Sequence, residues 1–156
     1  MGVAMENENV HFPPKWQMRK SAAILALATA LLFSPLVTVV HAGQLEEAVQ
    51  AAEAGDYKTA LRLFKPLAAK GEPLAQYNIG AMYANGQGVQ QDYSEAVKWY
   101  RNAAEQGMSE AQFSMGAMYD MGKGVLQDYS EAVNWYRKAA EQGNANGQFC
   151  LGFEYL

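Results

Sequence analysis

The stretch from Asp92 to Gly107, DYSEAVKWYRNAAEQG, returns as DYSEAVNWYRKAAEQG from Asp128 to Gly143, thirty-six residues later. The register extends upstream: Gly80, Tyr83, Gly86, Gly88 and Val89 reappear as Gly116, Tyr119, Gly122, Gly124 and Val125. Residues 72–107 and 108–143 are identical at twenty-four of thirty-six positions, so the unit is duplicated. A fixed period of roughly twenty to fifty residues marks stacked supersecondary units. No such unit buries its apolar face alone, so neighbours have to stack into an array.

Within each unit the apolar residues recur at helical spacing. Glu72 to Ala84 predicts a first helix, with Pro73 in its first turn where a missing N–H costs little. Ala75, Ile79, Met82 and Tyr83 form its buried stripe, and Gly80 sits where a side chain would hold a partner helix away. NGQGVQQ follows as a loop, its glycines permitting positive φ and Val89 tucking back against the helices. Asp92 and Asp128 open the next helices, each with a glutamate three positions on, at Glu95 and Glu131. That spacing is a capping arrangement, aspartate holding the free amides and glutamate reaching back. Trp99 with Tyr100, and Trp135 with Tyr136, are adjacent and cannot share a face. One ring of each pair therefore packs within its hairpin and the other against a neighbouring unit.

Outside the duplicated pair the pattern weakens. Gln44 to Ala54 has Leu45, Ala48, Val49 and Ala52 at helical intervals and ends at Gly55. Asp56 starts a second helix whose stripe Tyr57, Ala60, Leu61, Phe64 and Ala68 matches Tyr93, Ala96, Val97, Tyr100 and Ala104. Pro66 lies inside it and predicts a kink. After Gly143 only a first helix follows, with Gly152 answering Gly116 and Tyr155 answering Tyr119. The expected organisation is a leader over 1–42, a degenerate repeat over 43–71, repeats over 72–107 and 108–143, and a partial terminal repeat over 144–156. Phe149, Leu151, Phe153 and Leu156 make an apolar last helix. Three readings of it stand open: a cap that tolerates exposure, a helix completed by another subunit, or a truncated frame.

Arg19 and Lys20 precede an apolar run, Ala22 to Val40, broken by Pro35 and closed by Val40-His41-Ala42. This is a secretory signal pattern, with cleavage expected after Ala42; a retained membrane anchor is the competing reading. Met18 is an alternative start. The expected location is periplasmic or secreted. Removing 1–42 leaves 9 basic and 14 acidic residues. An acidic domain without a basic run gains no counterion release on a phosphate backbone, so neither nucleic acid nor, after cleavage, a membrane is the expected partner. Both histidines, His11 and His41, fall in the removed segment. What remains cannot run a Ser-His-Asp or Cys-His mechanism or offer imidazole to zinc. No catalytic residue, metal site or cofactor is expected. Cys150 is the single cysteine, so no intrachain disulfide forms.

The run A-Q-Y-N-I-G-x-M-Y, then G-x-G-V-x-x-D, then A-x-x-W-Y-x-x-A-A-x-x-G, resembles the Sel-1-like repeat, a relative of the tetratricopeptide repeat. The resemblance covers Glu72 to Gly143 fully and its flanks in part. It implies an all-α solenoid of antiparallel helix pairs in a right-handed superhelix, used as an adaptor for a protein or peptide partner, with no catalytic residues to carry over. Matching Ile79, Gly80 and Tyr83 to the Leu-Gly-Tyr core of the related repeat directs Leu74, Tyr77, Ala81, Ala84 and Asn85 toward a concave groove. Glu110, Phe113, Ala117, Asp120 and Met121 follow from the next unit, then Phe149 and Phe153. Tyr77 and Phe113 equally suit packing between hairpins. Two other functions compete with the adaptor. One is a cell-wall or β-lactam-directed hydrolase, after secreted cysteine-rich members of the family, although Ser94 and Ser114 have no evident base. The other is a structural piece that self-associates through its terminal helix.

Overall fold

The computed structural model describes residues 35–154, and these fold into seven helices with no strand among them. They are α1 (Pro35–Glu53), α2 (Tyr57–Ala69), α3 (Pro73–Asn85), α4 (Tyr93–Glu105), α5 (Ser109–Met121), α6 (Tyr129–Glu141) and α7 (Ala145–Glu154). Each helix packs mainly against its neighbours in sequence, α1 on α2, α2 on α3, and so on to α7. The result is the all-α solenoid of helix hairpins that the period requires. Most of the leader and of its apolar run, Tyr155, Leu156 and the side chain of Phe153 lie outside the described residues. α1 begins at Pro35, earlier than the apolar spacing after Gly43 indicates, and it runs through the expected cleavage point. Among the described residues no helix is long and apolar enough to cross a membrane.

Local chemistry places the helix ends. Asp56, Asp92 and Asp128 each accept a hydrogen bond from the backbone N–H three residues on, at 3.1, 3.0 and 3.1 Å. The reciprocal glutamate contact is replaced in α4, where Glu95 pairs with Lys98. Gly86 and Gly122 close α3 and α5 in the left-handed conformation, at φ 67° and 64°. Here an L-residue would meet its own carbonyl. α2 runs unbroken through Pro66. Pro66 and Arg62, whose carbonyl loses its donor, are both exposed, on the side of α2 away from the core.

The first and second helices of a hairpin differ in what they bury. α4 and α6 are one-sided, presenting Ala96, Val97, Tyr100, Ala103 and Ala104 inward in the first case and polar residues outward. α3 is enclosed almost all round. Its Ala75, Ile79 and Met82 join a core with α1 and α2, whereas Tyr77, Ala81 and Ala84 join a second core with α4 and α5. Trp99 reaches back into the first core and Trp135 into the second, while Tyr100 stays in its own hairpin. The adjacent rings thus divide between hairpin and neighbour, as their spacing dictates.

Two glycine contacts set the distances. A Cβ at Gly80 would lie 2.7 Å from Tyr100 Cδ1, and one at Gly116 would lie 2.5 Å from Tyr136 Cδ1. The glycines let each ring press on the backbone of the facing helix. Gly88 and Gly124, at φ 72°, do the same between units, where a Cβ would come within 2.9 Å of the Tyr57 backbone and 2.3 Å of the Tyr93 carbonyl oxygen. Val89 and Val125 anchor these loops against the preceding cores. Gly80→Ala and Gly116→Ala are each expected to destabilise the protein by about 1–3 kcal/mol, because a buried ring has to move. Gly152→Ala, where nothing among the described residues lies within 4 Å, is expected to cost nothing and to gain up to roughly 1 kcal/mol of local helix stability. Urea unfolding midpoints in dilute solution check the contrast.

Candidate protein-binding surface

α5 carries a partly open stripe in the inner row. Glu110, Phe113, Ala117 and Asp120 recur at helical spacing and share a face. Glu110, Phe113, Asp120 and the adjoining Met121 are half-exposed. From Glu110 to Asp120 the stripe extends about 15 Å along the helix axis. Glu110 Oε2 accepts from the Ser109 hydroxyl at 3.2 Å. Asp120 Oδ2 accepts weakly from the Tyr136 hydroxyl at 3.4 Å, and the Asp120 carbonyl accepts from Gln127 at 2.7 Å. The Phe113 ring lies 5.5 Å from that of Tyr136, tilted by 34°. An aromatic ring is therefore held between two carboxylates on a helix that both neighbours support.

The other expected groove residues divide. Leu74 and Asn85 are half-exposed and extend the surface onto α3. Tyr77, Ala81, Ala84 and Ala117 are buried and present nothing to a partner, which corrects the expectation that they face a groove. Small side chains at Ala81 and Ala84 let α4 and α5 close over them. Tyr77, 2% exposed, has its ring 5.6 Å from that of Tyr100. Its hydroxyl bonds to Ser114, whose own proton goes to the Glu110 carbonyl at 2.9 Å. Ser114 is thus a buried structural hydroxyl, while Ser94 stands exposed at the start of α4. Phe149, two-thirds exposed, lies in the same row one unit later. Among the described residues no group of three or more His, Cys, Asp or Glu side chains could hold a metal ion.

What holds this surface in register is a set of glutamines that recur with the period, although their spacing alone does not assign them a role. Gln76 donates to the Ala68 carbonyl at 3.2 Å, Gln112 to Ala104 at 3.1 Å and Gln148 to Ala140 at 3.3 Å. Each acceptor belongs to the last turn of the preceding helix, where carbonyls have no helical donor. Gln106 in turn donates to Gln76 Oε1 at 2.7 Å, and Gln142 to Gln112 Oε1 at 2.6 Å. The chain Gln142 to Gln112 to Ala104 therefore ties three successive helix ends together. A second motif closes the loops: Gln91 donates to the Ala84 carbonyl and the Tyr93 hydroxyl, and Gln127 does likewise to Asp120 and Tyr129. Lys123 lies over the Tyr93 ring, 5.1 Å from its centroid, a cation–π contact between units.

Burial pushes both Tyr77 and Tyr100 above the ordinary tyrosine value of 10.0, since an ionised phenol would be desolvated there. Their folded-state pKa values are raised, so the unfolded chain loses these protons first. Stability is then full below pH 10 and falls as pH rises beyond it. Thermal midpoints measured from neutral pH to about pH 11 should show this loss, and Tyr100→Phe should flatten it.

Comparison with known proteins agrees with this geometry. The sequence model described as the Sel1 repeat matches residues 73–108 and 109–144. No protein with a curated description matches the chain. Among solved structures, a Sel1 repeat protein from Oxalobacter formigenes is 38% identical with a TM-score of 0.68, over 70% of this chain and 45% of that one. A protective antigen present in uropathogenic Escherichia coli strains, displaying an SLR fold, is 41% identical with a TM-score of 0.71, over 76% of this chain and 26% of that one. Cysteine-rich protein B of Helicobacter pylori shares the fold at 18% identity, with a TM-score of 0.59, over 71% of this chain and 94% of that one. The chain spans less than half the length of the first two.

Proposed function

The chain belongs to the Sel1-repeat proteins, and on that premise we propose that it is a non-enzymatic adaptor, exported from the cell that makes it, which holds a protein partner along its inner helices. The observation that carries this reading is the α5 stripe, where Phe113 and Met121 offer apolar contact and Glu110 and Asp120 offer charge. Such a surface suits an extended segment or a helix that places an apolar side chain between two basic ones. The domain after Ala42 is acidic overall, which favours encounter with a basic segment. Rigidity supports the reading as well. The stripe sits on a helix clamped by the core and by the glutamine chain, so little ordering cost falls due on binding.

Export rests on the leader, with Arg19 and Lys20 before the apolar run and Val40-His41-Ala42 after it. The similarity to a protective antigen of uropathogenic Escherichia coli fits a location that antibodies reach. Amino-terminal sequencing of the protein recovered from the cell envelope or medium is expected to begin at Gly43. An intact leader on all recovered protein would overturn cleavage.

The adaptor is tested by capture from envelope extract with the wild-type protein beside Phe113→Ala and the charge-neutral pair Glu110→Gln, Asp120→Asn. Tyr77 is left intact because its ring is core. A partner bound by the parent should bind each variant about tenfold or more weakly, and its retention should fall with salt. Equal retention by all three would remove α5 as the site. Retention by none would count against the adaptor itself.

A further inference from the structure

Charge is sorted between the two rows of helices. The first helices α1, α3, α5 and α7 carry no lysine or arginine, whereas α2 carries Lys58, Arg62 and Lys65 and α4 and α6 carry two cations each. Glu46, Glu47 and Glu53 lie on α1, and Glu110 and Asp120 on α5. On α4 and α6 two glutamates balance the two cations. The first row is therefore negative, and the second is positive or neutral. The divergent first unit obeys this rule as strictly as the two duplicated ones, so the sorting is not a by-product of the duplication. Nor do the five cations after Glu72 turn to the stripe on α5 through the contacts they make. Lys98 pairs with Glu95, Arg101 donates to the Tyr119 hydroxyl, and Arg137 donates to Asn134. Lys123 lies over the Tyr93 ring and Lys138 over the Trp135 ring.

We propose that the occupant of the α5 face is a basic peptide segment of another protein, one cation lying over Phe113 beside Glu110 and a second meeting Asp120. This deepens the partner site assigned to α5 and rests on it. Phe113 is half-exposed and stands one turn after Glu110, so an arginine or lysine there gains from the ring face and from the carboxylate together. Asp120, also half-exposed, accepts from the Tyr136 hydroxyl at 3.4 Å, a weak contact that a charged donor outcompetes. The sorting chooses the face as well as the sign of the partner. A basic segment laid along the first row meets acidic groups and no cation, whereas on the second row it meets three cations on α2 and no net attraction on α4 or α6. An acidic segment meets only repulsion on the first row.

The test is fluorescence anisotropy with the full chain and short labelled peptides of repeating Gly-Leu-Arg, Gly-Leu-Gln and Gly-Leu-Glu, at low and at physiological ionic strength. The arginine peptide should bind about tenfold or more tightly than the glutamine peptide, with salt weakening it, and the glutamate peptide should not bind. Glu110→Gln with Asp120→Asn should weaken the arginine peptide about tenfold. Glu105→Gln with Glu141→Gln removes the same charge from the exposed ends of α4 and α6, and should leave binding within about twofold. Glu110→Lys with Asp120→Lys should reverse the preference and take up the glutamate peptide, a gain that a misfolded variant cannot give. Equal binding of the arginine and glutamine peptides would overturn the proposal, as would no binding of either. An equal loss from the two neutralised pairs would overturn it too, because net charge alone then explains the binding. Failure of the α5 site itself reads differently: an envelope partner lost with Phe113→Ala but indifferent to both neutralised pairs keeps α5 and removes only the basic occupant.

Discussion

The close approach of a tyrosine ring to a glycine backbone is the contact on which the rest of the array depends. Gly80 under Tyr100 and Gly116 under Tyr136 bring the two helices of a hairpin closer than any side chain at those positions would allow. With the helices that close, alanines rather than large residues fill much of the interior: Ala81, Ala84, Ala96, Ala103, Ala104, Ala111 and Ala117 are all buried. The same tightness explains why α3 is enclosed on two sides. A thin hairpin has little interior of its own, and α3 therefore belongs to two cores at once, one shared with α1 and α2 and one with α4 and α5.

Tight helices bring their backbone ends together, and those ends carry carbonyls that no helical N–H can reach. Ala68 and Ala104 accept there from the backbone N–H groups of Gly71 and Gly107, and the buried Gln76 and Gln112 add a second, side-chain donor to each from the following helix. Their own carbonyl oxygens are met in turn by Gln106 and Gln142. Polar groups inside the array thus form a periodic chain that depends on correct stacking. A slip of one unit against the next would break the apolar contacts and the hydrogen bonds together.

Function attaches to what this packing leaves uncovered. On α5 the neighbours cover Ala117 and leave Glu110, Phe113, Asp120 and Met121 partly open, so recognition chemistry is mounted on a helix with little freedom to move. That surface offers charge around an aromatic ring, which suits a partner of opposite charge.

By itself the sequence determined the architecture, because a thirty-six-residue period with helical apolar spacing leaves stacked helix pairs as the solution. It also determined the helix starts, since Asp56, Asp92 and Asp128 cap through contacts three residues away, and the role of Gly80, whose neighbours in a helix are known from spacing alone. Export is a reading of the leader, most of which lies before α1. Only the tertiary structure decided which face of each first helix stays open. Tyr77 and Phe113 occupy the same position in their units, yet Tyr77 is buried and Phe113 is not. The difference lies in contacts across the array: α5 covers Tyr77 through Ser114, and no local pattern records how closely the following helix approaches. The glutamine chain was hidden for the same reason. Gln76 meets its first acceptor eight residues back and its donor thirty residues ahead. Such distances in sequence become hydrogen bonds only once the hairpins have stacked.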